Sequence, residues 1–437
     1  MFLTTREIKF VVIDLESFQE RENEVNAIIE TCSRLGKVLL VSSQLAGPAL
    51  QSSGTAIHYA KNTGEQWLFA NVLRRVLSDL ELKPTSGVFI TNSHENLKPA
   101  HELMLGTIVT RFDDESDQEV VNIFQQFPDF FIRPSKLYEC LTGEFVGFAG
   151  EYYAAPPGIF IFKKPEKPTY SFSRVPNLKN PDCPIAVAGR YFDMSDARYF
   201  LHALSARIIN SKNNPERQAK CFGNILLRTI RISTKNDFDY ITRVPPKPSQ
   251  KVDRLKMYMD AFADHPLFAR EDYDKKQLRP DLLACEKEYH SLKHYSYADR
   301  LKVIEGVFSA HNDVKGKRIV LLDDVQTTGA TLNEAIKTLK EKGAAQIYPV
   351  ALAYHPYAVQ TLALAVPHHV SCKCGKKMVP RCKIDGGEPF YGCSDGFNKD
   401  KKHSTITFSE SVKTQLSVLE PSVMKQDEEV DAWNAQF

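Results

Sequence analysis

The sequence lacks the features that mark membrane-spanning, secreted and strongly polyanion-binding proteins. Its 437 residues contain no apolar run as long as a membrane span, and its first residues lack the pattern of a secretory signal. Lysine and arginine number 56 against 54 acidic residues, so the formal net charge of +2 gives no general attraction to nucleic acid or membranes. We therefore expect a soluble cytoplasmic protein with no membrane partner.

The cysteines give no sign of a disulfide framework either. Five of the nine are scattered singly along the chain. The other four, Cys372, Cys374, Cys382 and Cys393, lie within one short segment. Such crowding indicates a metal site rather than a set of disulfides.

Strands alternate with helices along most of the chain, which predicts an α/β fold. A chain of 437 residues has room for two or three domains, each with its own core. We expect two parallel-sheet, Rossmann-like domains and a small C-terminal module. The predicted units are a first α/β domain at 1–150, a proline-rich linker at 151–183, a second α/β domain at 184–366, a cysteine-rich module at 367–409 and a flexible tail at 410–437.

The most informative stretch is a strand, an acidic pair, a small polar loop and a helix in direct succession. Ile319–Leu322 is apolar enough for a central parallel strand, and helical spacing begins at Leu332. The loop between them would aim backbone N–H groups and threonine hydroxyls at the positive end of a helix, which favours phosphate. Asp323 and Asp324, just before the loop, can accept hydrogen bonds from vicinal sugar hydroxyls. The pattern therefore predicts a ribose-5-phosphate site.

The stretch Leu321–Thr331 resembles the phosphoribosyl pyrophosphate (PRPP) motif of type I phosphoribosyltransferases, because apolar strand, paired acids, Thr-Thr-Gly and a terminal Thr occur in the same order. The resemblance implies a transferase in which Asp323 and Asp324 are the catalytic acids, with Mg²⁺ bound together with PRPP. The residues expected around PRPP are Val325, Gln326, Thr327, Thr328, Gly329, Ala330 and Thr331. The alternative is an ordinary Rossmann-like turn with an incidental acidic pair.

A pyrophosphate-binding loop is expected after an earlier strand, and Thr242–Arg254 fits, with Arg243 and Lys247 as cations. The alternative is a proline-stiffened surface loop with solvated charges. Within 184–366, Val244-Pro-Pro, His290–Phe308 and Gly316–Thr331 are similar to ComF-like phosphoribosyltransferases. The residues after Arg300, Leu301 to Gly306, depart from the sequence pattern of that family. The resemblance therefore does not indicate which base or other nucleophile accepts the phosphoribosyl group. A regulator that senses PRPP without turnover is the main alternative.

The cysteine-rich module resembles the zinc ribbons of type I topoisomerases and the related GRF-type fingers. The resemblance implies a structural Zn²⁺ held by Cys372, Cys374, Cys393 and His403, with Cys382 as the competitor for the fourth place. Unliganded, reduced cysteines are the alternative. Basic and aromatic residues interleave here and suit a single-stranded nucleic acid or a protein partner, although a solvated basic face would give the same pattern. These residues are Lys373, Lys376, Lys377, Arg381, Phe390, Tyr391, Phe397, Lys399, Lys401 and Lys402.

The N-terminal unit resembles a degraded haloacid dehalogenase-type phosphatase. In that family's terms, four positions match the nucleophile, the second acid, the phosphate-holding hydroxyl and the lysine: Asp14, Glu16, Ser42 and Lys83. The late acidic pair that would hold Mg²⁺ is missing, since the corresponding phrase supplies only Asn92 and Glu95. We therefore expect binding or scaffolding rather than phosphatase turnover. An unrelated parallel-sheet domain is the alternative.

Overall fold

A computed structural model describes most of the chain between Ile8 and Tyr354 and parts of the cysteine-rich module. The described residues are 8–18, 21–34, 37–41, 73, 77–82, 87–102, 105–126, 128–154, 169–171, 173–192, 202–212, 214–262, 264–270, 273–289, 297–355, 372–376, 378–381, 390–393, 403–404 and 406–407.

The first sheet has five parallel strands in the order β2-β1-β3-β4-β5. Its strands are β1 (Phe10–Asp14), β2 (Lys37–Val41), β3 (Gly87–Thr91), β4 (Gly106–Thr110) and β5 (Phe130–Ile132). Every residue of β1, β3 and β4 is buried, as expected for strands covered on both faces. Strands β1 and β3 are neighbours in the sheet. The chain continues from β1 to β2 on one side and from β3 to β4 on the other, so a crevice forms beyond the carboxyl ends of β1 and β3.

Amphipathic helices cover this sheet. In α1 (Glu22–Ser33) the buried residues Val25, Ile28, Ile29 and Cys32 recur every three or four positions, which is the spacing of one helical face. The other helices here are α2 (Leu97–Glu102), α3 (Asp117–Gln126), α4 (Leu137–Leu141) and α5 (Ala149–Ala154). Two short strands, β6 (Phe145–Phe148) and β7 (Thr169–Ser171), pair in parallel beside them.

The second sheet also has five strands, in the order β10-β13-β14-β9-β8. They are β8 (Ser173–Val175), β9 (Ile185–Val187), β10 (Tyr240–Arg243), β13 (Arg318–Gln326) and β14 (Gln346–Tyr354). All but the edge strand β8 run parallel. Strand β8 lies within the segment predicted as a linker, so the structure places part of that segment in the sheet. The predicted α/β class is confirmed.

Six helices in the described residues accompany the second sheet: α6 (Ala203–Asn210), α7 (Pro215–Thr234), α8 (Arg254–Asp260), α9 (Pro266–Arg270), α10 (Tyr297–Ile304) and α11 (Ala330–Glu341). A separate antiparallel pair joins β11 (Leu283–Cys285) to β12 (Phe308–Ala310). Strand β13 lies between β10 and β14, and Ile319–Leu322 are completely buried. The carboxyl end of this central strand is therefore held firmly in place.

The first unit contributes residues to the hydrophobic core of the second sheet. Phe124 and Phe148, which precede the predicted linker, belong to the same buried cluster as Leu321 of β13. The Gly150 amide donates to the carbonyl of Ala188 at 2.8 Å, so the backbones meet directly. The first sheet is thus packed against the second rather than tethered to it.

Residues of the cysteine-rich module form a three-stranded antiparallel sheet, β15-β16-β17. These strands are β15 (Met378–Arg381), β16 (Phe390–Cys393) and β17 (Ile406–Thr407). Among the helices that the structure describes, none has the length and apolarity needed to cross a membrane.

Truncation of the central strand should destabilise the protein. Leu321 is fully buried, so Leu321→Ala should lower the free energy of unfolding by about 2–5 kcal/mol through lost burial and a residual cavity. The control is Ile232→Ala on α7, where the side chain is 51% exposed and a change within about 0.5 kcal/mol is expected. Urea unfolding followed by fluorescence measures both, and equal effects would contradict the central position of β13.

Candidate active site

The loop after β13 is a tight turn that leads straight into a helix. Thr327 and Thr328 form the bend, and α11 begins at Ala330. Gly329, which lies between this bend and α11, has a φ of 75°, a left-handed conformation that residues with a side chain rarely adopt. A Cβ at this position would lie 2.5 Å from Gln326 Nε2 and 3.0 Å from Asn333 Nδ2. The backbone angle therefore favours glycine, and an added Cβ would also force the end of the Gln326 side chain to shift.

This loop presents unused backbone donors. Within the described residues, nothing accepts a hydrogen bond from the amides of Thr327, Thr328 or Gly329. The Ala330 amide makes a long contact of 3.5 Å with the Thr328 hydroxyl. These donors sit at the positive end of α11, where the first amides of a helix lack internal partners. Such an arrangement can bind a phosphate group.

A network of amide side chains supports the loop from behind. Asn333 Oδ1 accepts hydrogen bonds from Asn177 and Asn180, each at 2.8 Å. With its oxygen occupied twice, Asn333 keeps its amide nitrogen towards Gly329. This support was not predictable from the sequence, because Asn177 is 156 positions away from Asn333 and no local pattern links them.

The acidic pair lies at the carboxyl end of β13. The Asp324 amide donates to Asp323 Oδ1 at 2.8 Å, and the Val325 amide donates to Asp324 Oδ1 at 2.7 Å. Asp324 Oδ2 pairs with Arg254 Nη2 at 2.7 Å. Burial, together with the negative charge of Asp324, raises the pKa of Asp323 well above its ordinary value. The two neighbouring carboxylates therefore have different surroundings.

Arg243 and Lys247 lie at the base of the predicted pyrophosphate loop and hold its shape. Arg243 contacts Asp253 through Nε at 2.7 Å and Nη2 at 2.6 Å, and it donates to the Pro280 carbonyl at 3.0 Å. Lys247 Nζ donates to the Tyr289 carbonyl at 2.7 Å and lies 4.2 Å from the centre of that ring. In this structure both cations are engaged by protein groups.

The segment after β11, residues 286–289, contacts the predicted pyrophosphate loop. Glu288 accepts hydrogen bonds from the amide and the hydroxyl of Ser249, at 2.9 and 2.8 Å. Burial raises the pKa of the neighbouring Tyr289 to about 12, with added contributions from Cys285 and Asp323. Asp323 thus lies close enough to Tyr289 to influence it. The acidic pair therefore lies near the segment that contacts the predicted pyrophosphate loop.

The C-terminal module brings three cysteines and a histidine together. The ligand atoms of Cys372, Cys374, Cys393 and His403 all lie within 4.8 Å of one another. Cys372 Sγ is 3.9 Å from His403 Nδ1, and Cys374 Sγ is 3.4 Å from Cys393 Sγ. Hydrogen bonds from the Cys374 amide and from Ser404 lower the pKa of Cys372 to about 5, which favours the thiolate.

Several predicted residues of this module cannot be placed. Cys382, the competitor for the fourth ligand position, lies outside the described residues. Lys373 and Lys376 are exposed beside the cluster. The side chains of the remaining basic and aromatic residues named for this module also lie outside the described part of the chain.

In the first sheet, Asp14 ends β1 and is buried. Its Oδ2 accepts hydrogen bonds from the Thr91 hydroxyl at 3.1 Å and the Asn96 amide at 3.0 Å. Burial raises the pKa of Asp14 to about 6 in spite of these bonds. Glu16 lies two residues on, in a 3-10 turn (Leu15–Phe18). Ser42 and Lys83 lie outside the described residues.

Comparison with known proteins shows which domain class the stretch around this loop resembles. Residues 277–360 match the model of the phosphoribosyl transferase domain. The match contains the acidic pair, the loop and the first turn of α11. The match starts at residue 277, just before β11, whereas the predicted domain starts at residue 184. This part of the chain is therefore a phosphoribosyl transferase domain, as the motif predicted.

Curated relatives match part of the chain. A ribose-phosphate pyrophosphokinase of Methanosarcina mazei is 26% identical over 156 residues, which is 34% of this chain and 50% of the relative. One from a Nostoc species is 39% identical over 74 residues, 14% of this chain and 22% of the relative. The chain thus spans at most half the length of these relatives.

Two solved structures also match at low similarity. The allosteric regulatory enzyme of purine biosynthesis is 18% identical with a TM-score of 0.19, and the match covers 37% of this chain and 31% of that one. The glutamine PRPP amidotransferase of B. subtilis is 19% identical with a TM-score of 0.20, over 38% and 31% of the two chains.

Substitution of Gly329 should cost more than substitution of a similar glycine elsewhere. Gly329→Ala combines left-handed strain with a Cβ 2.5 Å from Gln326 Nε2, and should destabilise the protein by about 2–3 kcal/mol. Gly316→Ala is the matched control, because Gly316 has a φ of 72° and nothing within 4 Å of the added carbon. We expect its cost to be about 1 kcal/mol. Thermal unfolding compares the two, and equal shifts would show that the loop is not crowded.

Proposed function

We propose that this chain is a Mg²⁺-dependent phosphoribosyltransferase of the ComF-like type that uses PRPP. The observation that carries the proposal is the meeting of free loop amides and an acidic pair at the carboxyl end of β13. One group of donors suits a phosphate, and the adjoining carboxylates suit a vicinal diol. PRPP offers both groups at the separation set by one ribose.

In this proposal the protein works mainly by positioning and by electrostatics. The amides of Thr327, Thr328 and Gly329 and the start of α11 bind the 5-phosphate. The acidic pair accepts hydrogen bonds from the ribose hydroxyls and supports the positive charge that develops on the ribose as the C1–pyrophosphate bond breaks. Bound with PRPP, Mg²⁺ supplies charge neutralisation for the departing pyrophosphate.

The loop that contains Lys247 is expected to receive the pyrophosphate. Lys247 is held by Tyr289, so a modest movement of the 286–289 segment would free its ammonium group. Arg243 is held by Asp253, which that movement would not displace. We infer that Arg243 shapes the loop while Lys247 contacts the leaving group.

Titration calorimetry tests this function. PRPP with Mg²⁺ should bind the unmutated chain with a stoichiometry of one, and Gly329→Ala should weaken binding by about tenfold or more, because the crowded loop loses amide contacts worth about 1.4 kcal/mol. Gly316→Ala, far from the loop, should bind normally. A chain that ignores PRPP at millimolar concentration would refute the proposal.

A screen for pyrophosphate release then distinguishes turnover from sensing. An enzyme releases pyrophosphate from PRPP when the correct base or other nucleophile is added. A PRPP-sensing regulator binds the ligand and releases nothing with any acceptor, while its affinity for a nucleic acid or protein partner changes. Binding without release would favour the second function.

We propose that Cys372, Cys374, Cys393 and His403 hold a structural Zn²⁺ and that the module is a zinc ribbon at about 367–409. Four ligands about 2.0–2.3 Å from a central zinc lie roughly 3.3–3.8 Å apart, and the pairs here are 3.4 and 3.9 Å apart. A module this small also needs such a staple to fold. The exposed Lys373 and Lys376 support binding of a nucleic acid or a protein partner.

Zinc content tests the ribbon. The purified full chain should release about one zinc ion on denaturation, measured with a chromogenic chelator, because four ligands complete one site. Cys393→Ser should lose most of this zinc. Cys221→Ser, which changes a cysteine outside the cluster, should retain it. A chain that neither contains nor takes up zinc would rule out the ribbon.

We also propose that the first sheet unit is a haloacid dehalogenase-like domain that binds or scaffolds without turnover. Asp14 lies at the end of β1, where that family places its nucleophile, but Asn92 follows β3 where a metal-binding acid is needed. The Asn92 amide donates to Glu115 Oε1 at 2.9 Å, so its nitrogen is committed to that contact. The missing carboxylates leave phosphoryl transfer without a metal site.

A further inference from the structure

The longest helix that the structure describes, α7, has a one-sided distribution of charge. Residues 215–235 contain five cations and a single acid, Glu216, in a chain whose formal net charge is only +2. The cations are Arg217, Lys220, Arg228, Arg231 and Lys235. Positive charge is therefore concentrated on this helix although the chain as a whole is nearly neutral.

The five cations share one face of α7, which we call the basic face. Since each residue of a helix turns by about 100°, their positions fall within an arc of about 80°. The remaining position in that arc is Asn224, a neutral side chain. Four of the cations are exposed and Arg228 is partly exposed. From Arg217 to Lys235 the basic face is about 27 Å long.

The residues at the C-terminal end of α7 do not cancel this charge. Arg174 of β8 is exposed and donates from Nη2 to the Ser233 carbonyl at 2.6 Å, so it adds a sixth cation beside this end. The acids that follow the helix, Asp237 and Asp239, both pair with Arg318. Their charge is already balanced by a residue outside the basic face.

The cations in the middle of the basic face act together on a neighbouring helix. Arg228 donates from Nε to Asn224 Oδ1 at 2.8 Å, and its guanidinium lies 4.5 Å from the centre of the Tyr153 ring. Burial lowers the pKa of His265, just before α9, and the charges of Arg228 and Lys220 lower it further. The basic face thus produces a positive field around it.

The chemistry of the basic face fits the phosphates of a duplex. Three of its five cations are arginines, whose planar guanidinium matches a phosphate with two parallel hydrogen bonds. No position in the arc carries an aromatic ring, on which single-strand binding depends for base stacking. The apolar face of α7 is buried within the protein, so it is not available to enter a membrane surface.

We propose that the basic face of α7 binds the phosphate backbone of double-stranded DNA without reading its sequence. A row about 27 Å long can reach several phosphates of a strand that rises about 3.4 Å per nucleotide. Each phosphate that is neutralised releases condensed counterions, so the affinity depends steeply on salt. This surface is separate from the cysteine-rich module, and the inference does not depend on the use of PRPP.

Fluorescence anisotropy of the full chain with a labelled duplex of mixed sequence tests the proposal, at salt from about 50 to about 200 mM. Combining Lys220→Gln, Arg231→Gln and Lys235→Gln should weaken binding by tenfold or more, on the order of one decade, at about 100 mM salt. The slope of log K against log salt should become shallower by about 2–3, because each lost phosphate contact contributes about 0.9. Arg217→Gln alone should reduce the slope by about 1.

The matched control removes three cations elsewhere by combining Arg34→Gln, Lys136→Gln and Lys256→Gln. Each of these cations pairs with an acid about one helical turn away, and the net charge of the chain falls by the same amount. The control should keep the slope of the unmutated chain. Thermal unfolding of both triple variants verifies that they fold, since the substituted side chains are all exposed.

Four outcomes would overturn the inference. The first is an unmutated chain that does not bind the duplex at about 50 mM salt, and the second is an equal slope for the two triple variants. The third is tighter binding of single-stranded DNA that the basic-face variant leaves unchanged, which would assign nucleic-acid binding to the cysteine-rich module. The fourth is competition by poly-glutamate as effective as that of DNA at equal charge, which would assign the face to an acidic protein.

Discussion

The burial of β13 between β10 and β14 is the constraint on which the second sheet and its site depend. Ile319–Leu322 are completely shielded from water and pair with both neighbours, and β14 continues to pair with the strand beyond Leu322. The acidic residues follow where β10 no longer pairs with the strand, since burying them between two strands would be costly. Asp323 and Asp324 begin at that point. The hydrophobic run therefore determines where the charges and the loop amides emerge.

Features that depend on neighbouring residues in the sequence were predictable from the sequence pattern. The strand at Ile319–Leu322 was anticipated because it is an apolar run directly before polar residues, and the loop after β13 follows from its glycine and threonines. The contacts that organise the site were not predictable. Arg254 and Asp324 are 70 positions apart, and only the packing of α8 beside β13 joins them. Strand β8 was missed because its three residues lie in a proline-rich stretch without periodicity.

The cations of the predicted pyrophosphate loop show the limit of charge counting. The stretch Thr242–Arg254 contains four basic residues, and nothing in the sequence distinguishes their roles. The structure distinguishes them by their partners: Arg243 is enclosed by Asp253 and two backbone carbonyls, whereas Lys247 meets a ring and a single carbonyl. A guanidinium in a closed set of acceptors is structural, because moving it would leave buried acceptors unpaired. An ammonium with one carbonyl partner can change partners at small cost.

A group of charged residues lies at the junction between the first unit and the second sheet. Glu151 of α5 pairs with Arg190 at 2.8 Å and lies 3.3 Å from His202; Arg190 and His202 are buried, and the Glu151 side chain is 14% exposed. Burial alone would raise the pKa of Glu151, but Arg190 and His202 hold it well below its usual range. A buried ion pair adds little net stability, yet breaking it leaves an isolated charge, so it enforces one docking geometry. Arg190 also bridges to Tyr354 at the end of β14. Because the next residue of the chain, His355, donates to the Gln326 carbonyl, that geometry extends to the loop itself.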